Sequence, residues 1–226
     1  MTQDLGSWSG CPKPPYQMIE GQYVRLEPLD AGLHGAGLFE ASNVADKDQK
    51  FRWLFESAPQ DEAMLVEWVE REAAKRDPLY YAVIDLASGK VGGRQALMRI
   101  DADNGVIEIG SIYWGPLMAG KRGATEALYL FMKHVFDDLG YRRFEWKCNN
   151  ENGPSKRAAT RFGFRYEGLF RQHMVIKGEN RDTAWFSVID SEWAALKIGF
   201  EQWLAPQNFD ANGQQKQALG VFLQRT

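Results

Sequence analysis

Residues 117–140, LMAGKRGATEALYLFMKHVFDDLG, set Gly120, Lys121, Arg122 and Gly123 directly before an apolar-periodic helix. A helix N-terminus carries unpaired N–H groups and a partial positive charge, so it holds anions without needing any particular side chain. Gly120 and Gly123 would let the backbone come close to a phosphate, with Lys121 and Arg122 adding charge at the mouth. The same pattern also describes a basic loop that binds nothing, and the segment alone leaves both readings open. It is not the nucleotide P-loop, because GKRGATEA contains no G-x-x-x-x-G-K-[ST].

Glu108 lies upstream in a β-type run, in register with Gly110 and Ile112, where a carboxylate could take a proton. Its plainer reading is a solvated strand glutamate or an ion-pair partner of Arg94 or Arg99. Downstream, Asn152 and Ser155 flank Pro154 at the start of a short helix, as an N-cap and a first-turn residue would. Cys11 and Cys148 are too far apart for ligand spacing, so neither a metal nor a disulfide framework is expected. Cys148 falls on the apolar face of its strand and reads as core.

These residues need elements to hold them. QYVRLEPL, residues 22–29, alternates as a half-buried strand closed by proline. Two helices follow, the first including FRWLF and ending before residues 57–59, the second carrying Met64, Leu65, Trp68 and Val69 on one stripe. Three β-type runs then meet at Ser88-Gly89 and Asn104-Gly105, both turn dipeptides. The helix after the basic loop carries Ala124, Ala127, Leu128, Phe131, Val135 and Leu139 on one face and stops at Gly140. YRRFEWKC is a strand, the Asn152 helix ends at Gly163, and two last strands surround the turn KGENRD. The expected order is β-αα-βββ-α-β-α-ββ plus a C-terminal helix. An antiparallel meander joined to a crossover helix gives an α+β fold with a mixed, mostly antiparallel sheet flanked by helices.

At 226 residues and 44% apolar content, one sizeable core is expected. We read a single domain: an extension over 1–20 that Trp8 and Tyr16 could pin, a core over 21–192, and an appendage over 193–226. A net charge of −3 gives no basic excess for nucleic acid, and suits a cationic amine without selecting one. No run approaches the roughly 18 apolar residues of a membrane span, and the first residues lack a signal-peptide pattern. No membrane partner and a cytoplasmic location are expected. In EWAALKIGFEQWLAP, Trp193, Leu196, Phe200 and Trp203 recur at helical spacing, for packing on the same chain or for a homodimer.

In GQYVRLEPL, in GATEA, LGYRR, ENGPS and FGFRYEG in that order, and in the FRWLF region, residues 21–192 resemble the GCN5-related N-acetyltransferases, specifically the RimJ/RimL-type branch. The resemblance implies transfer of acetyl from acetyl-CoA to a primary amine of a small molecule or peptide N-terminus. It implies that Ala119, Gly120, Lys121, Arg122, Gly123, Ala124 and Thr125 hold the cofactor's pyrophosphate, and that Asn152 bonds its pantetheine arm. A backbone N–H near Ile112, Tyr113 and Trp114 is the implied oxyanion donor. Glu108 matches the carboxylate that acts on the amine, whose pKa of about 8 to 10 makes a base useful. Many relatives protonate the thiolate with a tyrosine. Ala158 and Ala159 occupy that region here, which leaves Ser155. Phe51, Trp53 and Phe55, with Glu56 drawing in a cation, could line the amine's pocket, and His173 could face it; each is otherwise core or structural. The signature (Q/R)-x-x-G-x-(G/A) is altered, with Ala119 first and Arg122 fourth. That alteration and the missing tyrosine favour the alternative, a catalytically inactive acyl-CoA-binding module.

Overall fold

A computed structural model describes residues 5–223. The strands are β1 (Ile19–Glu20), β2 (Val24–Pro28), β3 (Leu79–Asp85), β4 (Val91–Asp101), β5 (Val106–Trp114), β6 (Arg143–Asn149), β7 (Arg165–Ile176) and β8 (Glu179–Ile189). They form one sheet in the order β1-β2-β3-β4-β5-β6-β8-β7. Only β5 and β6 pair in parallel; the other neighbours are antiparallel. The α+β class and the mostly antiparallel sheet flanked by helices are as the pattern predicts.

Helices α1 (Ala31–Ser42), α2 (Lys47–Phe51) and α3 (Glu62–Ala73) lie between β2 and β3, with α4 (Arg122–Lys133) and α5 (Gly153–Arg161) on either side of β6. Helices α6 (Asp190–Leu204) and α7 (Leu219–Phe222) follow β8. Strand β3 shows how both faces of the sheet are covered. Its Leu79, Tyr81 and Val83 enter the main core with Leu128, Phe131 and Phe200, while Tyr80, Ala82 and Ile84 pack with Leu38, Leu65 and Trp68. Two-sided burial is why LYYAVI reads as an unbroken apolar run rather than an alternation. Asp30 and Asp61 start α1 and α3 by accepting hydrogen bonds from the amides of Leu33 and Met64, a cap that contributes about 1 kcal/mol each.

Several expectations are corrected. Three helices, not two, precede the meander, and of FRWLF only Phe51 is helical; residues 52–56 form a turn. The cause is tertiary: Glu56 is drawn into an ion pair with the buried Arg94, which ties the turn to the sheet. The α4 helix ends at Lys133 and continues as a wider π-turn over His134–Asp138, closed by His134 on Asp138 at 2.8 Å. The KGENRD turn is only Lys177-Gly178, both at positive φ (52° and 80°), so that β8 already begins at Glu179. The apolar face of α6 does not present itself for self-association. Trp193, Leu196, Phe200 and Trp203 are 0–5% exposed in the chain's own core, where burial is already complete.

The extension is pinned as its aromatic residues suggest. The Trp8 indole donates to the Asp103 carbonyl at 2.7 Å and the Tyr16 hydroxyl to the Tyr80 carbonyl at 2.6 Å. It is not wholly irregular, because Ile19–Glu20 pairs with β2 as β1. Residues 1–4 and 224–226 of the expected extension and appendage lie outside the described residues.

Candidate active site

The site begins with a parting of strands. β5 and β6 pair only from Val106↔Arg143 to Ile109↔Trp146. Beyond that register, Ser111 adopts φ +49°, and Ser111 and Ile112 together oppose the single Gln95 between the pairs Ala96↔Gly110 and Arg94↔Tyr113. Such a bulge bends its strand and leaves an unpaired residue. A cavity of about 890 Å³ lies along the diverging strands.

Into this cavity the fold brings Glu108, Ile112, Tyr113 and Trp114 from β5, Ala119 and Gly120 from the loop, Asn152 and Ser155 from the start of α5, and Trp53 from the turn after α2. Gly120 has φ +72° and no atom within 4 Å of where a Cβ would stand, so the loop backbone there is open. The first turn of α4 has no side-chain cap at Lys121. The Trp114 indole N–H is buried without a protein partner, a donor that awaits a ligand acceptor. Asn152 accepts from the Ser155 amide at 3.1 Å, as an N-cap does. Ser155 Oγ accepts from the Trp146 indole at 2.9 Å, and the Cys148 sulfur is its other hydrogen-bond neighbour.

Other residues do not reach the cavity. Arg122 is stacked between rings, its guanidinium carbon 3.6 Å from the centroid of Tyr23 and 4.4 Å from that of Phe209. Gly123 is needed for packing, since a Cβ would meet Met118 at 2.9 Å and Val24 at 3.0 Å. Ala124 and Thr125 are buried, and Thr125 Oγ1 accepts from Arg161 at 3.2 Å. Lys121 is exposed outside the lining. Phe51 is buried against Tyr113. His173 bonds Thr183 at 3.0 Å, and desolvation together with Arg181, Arg99 and Lys147 pushes its pKa down. Glu56 spends its charge on Arg94 and cannot draw in a cationic substrate.

Glu108 is 2% exposed and sits among cations. Its Oε1 accepts from Arg99 Nη1 at 2.7 Å. Lys147 Nζ is 3.0 Å from Oε2 but lies off the direction of a hydrogen bond, so Oε2 keeps an open lone pair. Arg99 is aimed by a second bulge, at φ +49°, whose free amides at Arg99 and Ile100 are taken up by the Asp77 carboxylate at 2.8 and 3.0 Å. The buried Cys148 thiol, at the cavity wall, has its pKa raised by burial and fits the core reading.

The sequence reading missed the basic character of the lining. Lys50, Arg52, Arg99, Lys147, Arg161 and Arg181 face one carboxylate, Glu108, although the whole chain carries −3. The turn expected over KGENRD contains Arg181. Reading Lys177-Gly178 as a two-residue hairpin turn would have put it on β8, in alternation with Thr183 and Trp185. Among the described residues no group of three or more His, Cys, Asp or Glu is placed to hold a metal, and no helix is long and apolar enough to cross a membrane.

An open, mostly antiparallel sheet, parted between two parallel strands and flanked by helices, is the architecture of the acyl-CoA N-acyltransferases. The chain belongs to the GNAT acetyltransferase family: residues 24–165 match the family model described as an acetyltransferase (GNAT) domain. It is similar to a crystallised GCN5-related N-acetyltransferase from Brucella melitensis, with 63% identity and a TM-score of 0.94 over 96% of this chain and 98% of the other. A probable acetyltransferase of the GNAT family from Chromobacterium violaceum is 39% identical, with a TM-score of 0.78 over 86% of this chain and 97% of that one. The Uncharacterized N-acetyltransferase p20 of Bacillus licheniformis is 31% identical over 50% of this chain and 64% of its own length. The chain spans between half and two thirds of the curated relatives it matches.

Proposed function

We propose that this chain is an N-acetyltransferase of the RimJ/RimL-type branch, moving acetyl from acetyl-CoA to a primary amine of a small molecule or peptide N-terminus, in the cytoplasm. Residues 21–192 are its catalytic core in this reading. The observation that carries it is the cavity at the β5–β6 parting, where Glu108, the open loop at Ala119 and Gly120, Asn152 and Ser155 converge from separate elements.

The residues present suit the donor. Arg161 lies in the lining and bonds Thr125 on α4, Gly120 leaves its loop open, and the Trp114 indole supplies an unpaired donor. Acetyl-CoA brings an acetyl group activated as a thioester. The backbone of residues 111–113, freed by the bulge, stabilises negative charge on the carbonyl oxygen as the amine's C–N bond forms. Glu108 Oε2 takes the amine proton, directly or through a water. As the C–S bond breaks, the Ser155 hydroxyl, turned from the Cys148 sulfur, gives its proton to the departing sulfur. A catalytically inactive binding module gains no observation of its own, since the altered signature still leaves Ala119 and Gly120 in the lining.

Calorimetric titration with acetyl-CoA, and separately with CoA, is the test, followed by thiol release with a panel of amines. Micromolar binding and release with at least one amine are expected. No binding of either compound would overturn the reading.

A further inference from the structure

Arg181 stands out among the buried charges. It is 7% exposed and lines the cavity, and no carboxylate lies within ion-pair distance of it among the described residues. Its Nε donates to Thr183 Oγ1 at 3.2 Å, and the guanidinium lies 5.6 Å from the centroid of Phe55, so its direction is held while its Nη groups have no hydrogen-bond partner. Burial and the neighbouring Arg99 both work against its charge, while Glu108 favours it. A cation this buried without an ion pair is costly, and an anion entering the cavity would offset that cost.

The surrounding charges specify how much anion. Arg99 and Lys147 answer Glu108 and Glu145, and the adjoining Arg143 answers Glu167. Among these groups Arg181 alone has no ion-pair partner. One guanidinium without an ion pair matches one carboxylate.

Its place separates this charge from the donor's phosphates. Arg181, Arg52 and Trp53 also line an adjoining cavity of about 240 Å³, together with Lys177, Asp48 and Glu179, that includes no residue of the loop before α4. At the other end, Arg161 bonds Thr125 on α4.

Resting on the acetyltransferase reading, we propose that the acceptor is a primary amine carrying a carboxylate, and that Arg181, with Arg99 beside it, binds that carboxylate while the amine meets Glu108. The pairing is chemically direct, since a planar guanidinium and a carboxylate form two parallel hydrogen bonds. A simple cationic amine such as a polyamine would meet repulsion from the same wall.

Thiol release is compared for free amino acids, their carboxamides, and peptide amides beginning with Asp or Glu. Independently of turnover, N-acetylglycine and N-acetylglycinamide are titrated into the protein with and without CoA. The acid should bind at least tenfold more tightly than the amide, and Arg181→Gln should remove that difference while CoA affinity stays within twofold. Arg99→Gln, changed at a half-exposed position, should lower the preference without unfolding the chain. Activity on the free amino acids alone identifies a single-residue acceptor; activity on the acidic peptide amides identifies a side-chain carboxylate. Equal binding of acid and amide, binding of neither, or an unchanged preference in both variants would overturn the proposal. Failure to bind CoA with the acid preference intact would instead remove the acetyl-transfer reading and leave the anion site standing.

Discussion

Glu108 and Glu145 stand opposite each other in the parallel register of β5 and β6, and Lys147 Nζ lies between them, 3.0 Å from one carboxylate and 2.6 Å from the other. The lysine also covers the ring of Trp185, 3.8 Å from its centroid. Like charges on adjacent strands repel, so the cation is what allows two glutamates to share this buried place.

Lys147→Met should therefore destabilise the fold by about 3–5 kcal/mol, the cost of breaking a buried pair and leaving charge uncompensated. Urea midpoints of the variant and parent measure it. The double change with Glu145→Gln should recover part of the loss; recovery of none would mean that packing on Trp185, rather than charge, is what Lys147 contributes.

Glu108→Gln removes the open lone pair on Oε2 and keeps the shape of the side chain. With Glu108 as the base, kcat should fall by about 10²- to 10⁴-fold, with acetyl-CoA affinity little changed. Calorimetry beside initial rates separates the two effects. An unchanged kcat would leave Glu108 as only the ion-pair partner of Arg99.

The two cations of the loop should behave differently. Lys121 is exposed before the uncapped turn of α4, whereas Arg122 is held between Tyr23 and Phe209. Lys121→Gln should weaken acetyl-CoA binding in a salt-dependent way and leave thermal stability alone. Arg122→Gln should lower stability by about 1–2 kcal/mol, since a partly desolvated cation–ring contact is lost, and change affinity less. A melting curve and a titration on each variant decide the assignment.

Acid should loosen the fold at identifiable places. The Arg143 guanidinium, with the Ser187 hydroxyl, holds the Glu167 carboxyl below its ordinary range against the opposing effect of burial, and His34 does so for Glu27. Each folded pKa lies below its unfolded value near 4.3, so the contribution is present above that pH and is lost as pH falls through the folded pKa. Urea midpoints should drop between pH 5 and pH 3, and Glu167→Gln should flatten that drop. An identical slope in the variant would assign the acid sensitivity elsewhere.

Much of this protein is legible in the chain because the signals are local. Alternation in residues 22–29, the turn dipeptides Ser88-Gly89 and Asn104-Gly105, and the apolar stripe of α4 each follow from the period of the element that contains them. The loop before α4 and the Asn152 cap are likewise encoded in residues near one another, and so is the stop at Gly140, which takes φ +70°. What sequence could not decide is which charges meet. Arg122 turns to Tyr23 and Phe209, far away in both directions, Glu56 turns to Arg94, and Arg181 reaches the cavity only because a two-residue turn brings β8 back beside β6. Local periodicity selects helix or strand within about one turn of chain, whereas the free energy of a buried charge depends on every partner the packed sheet brings within a few ångströms.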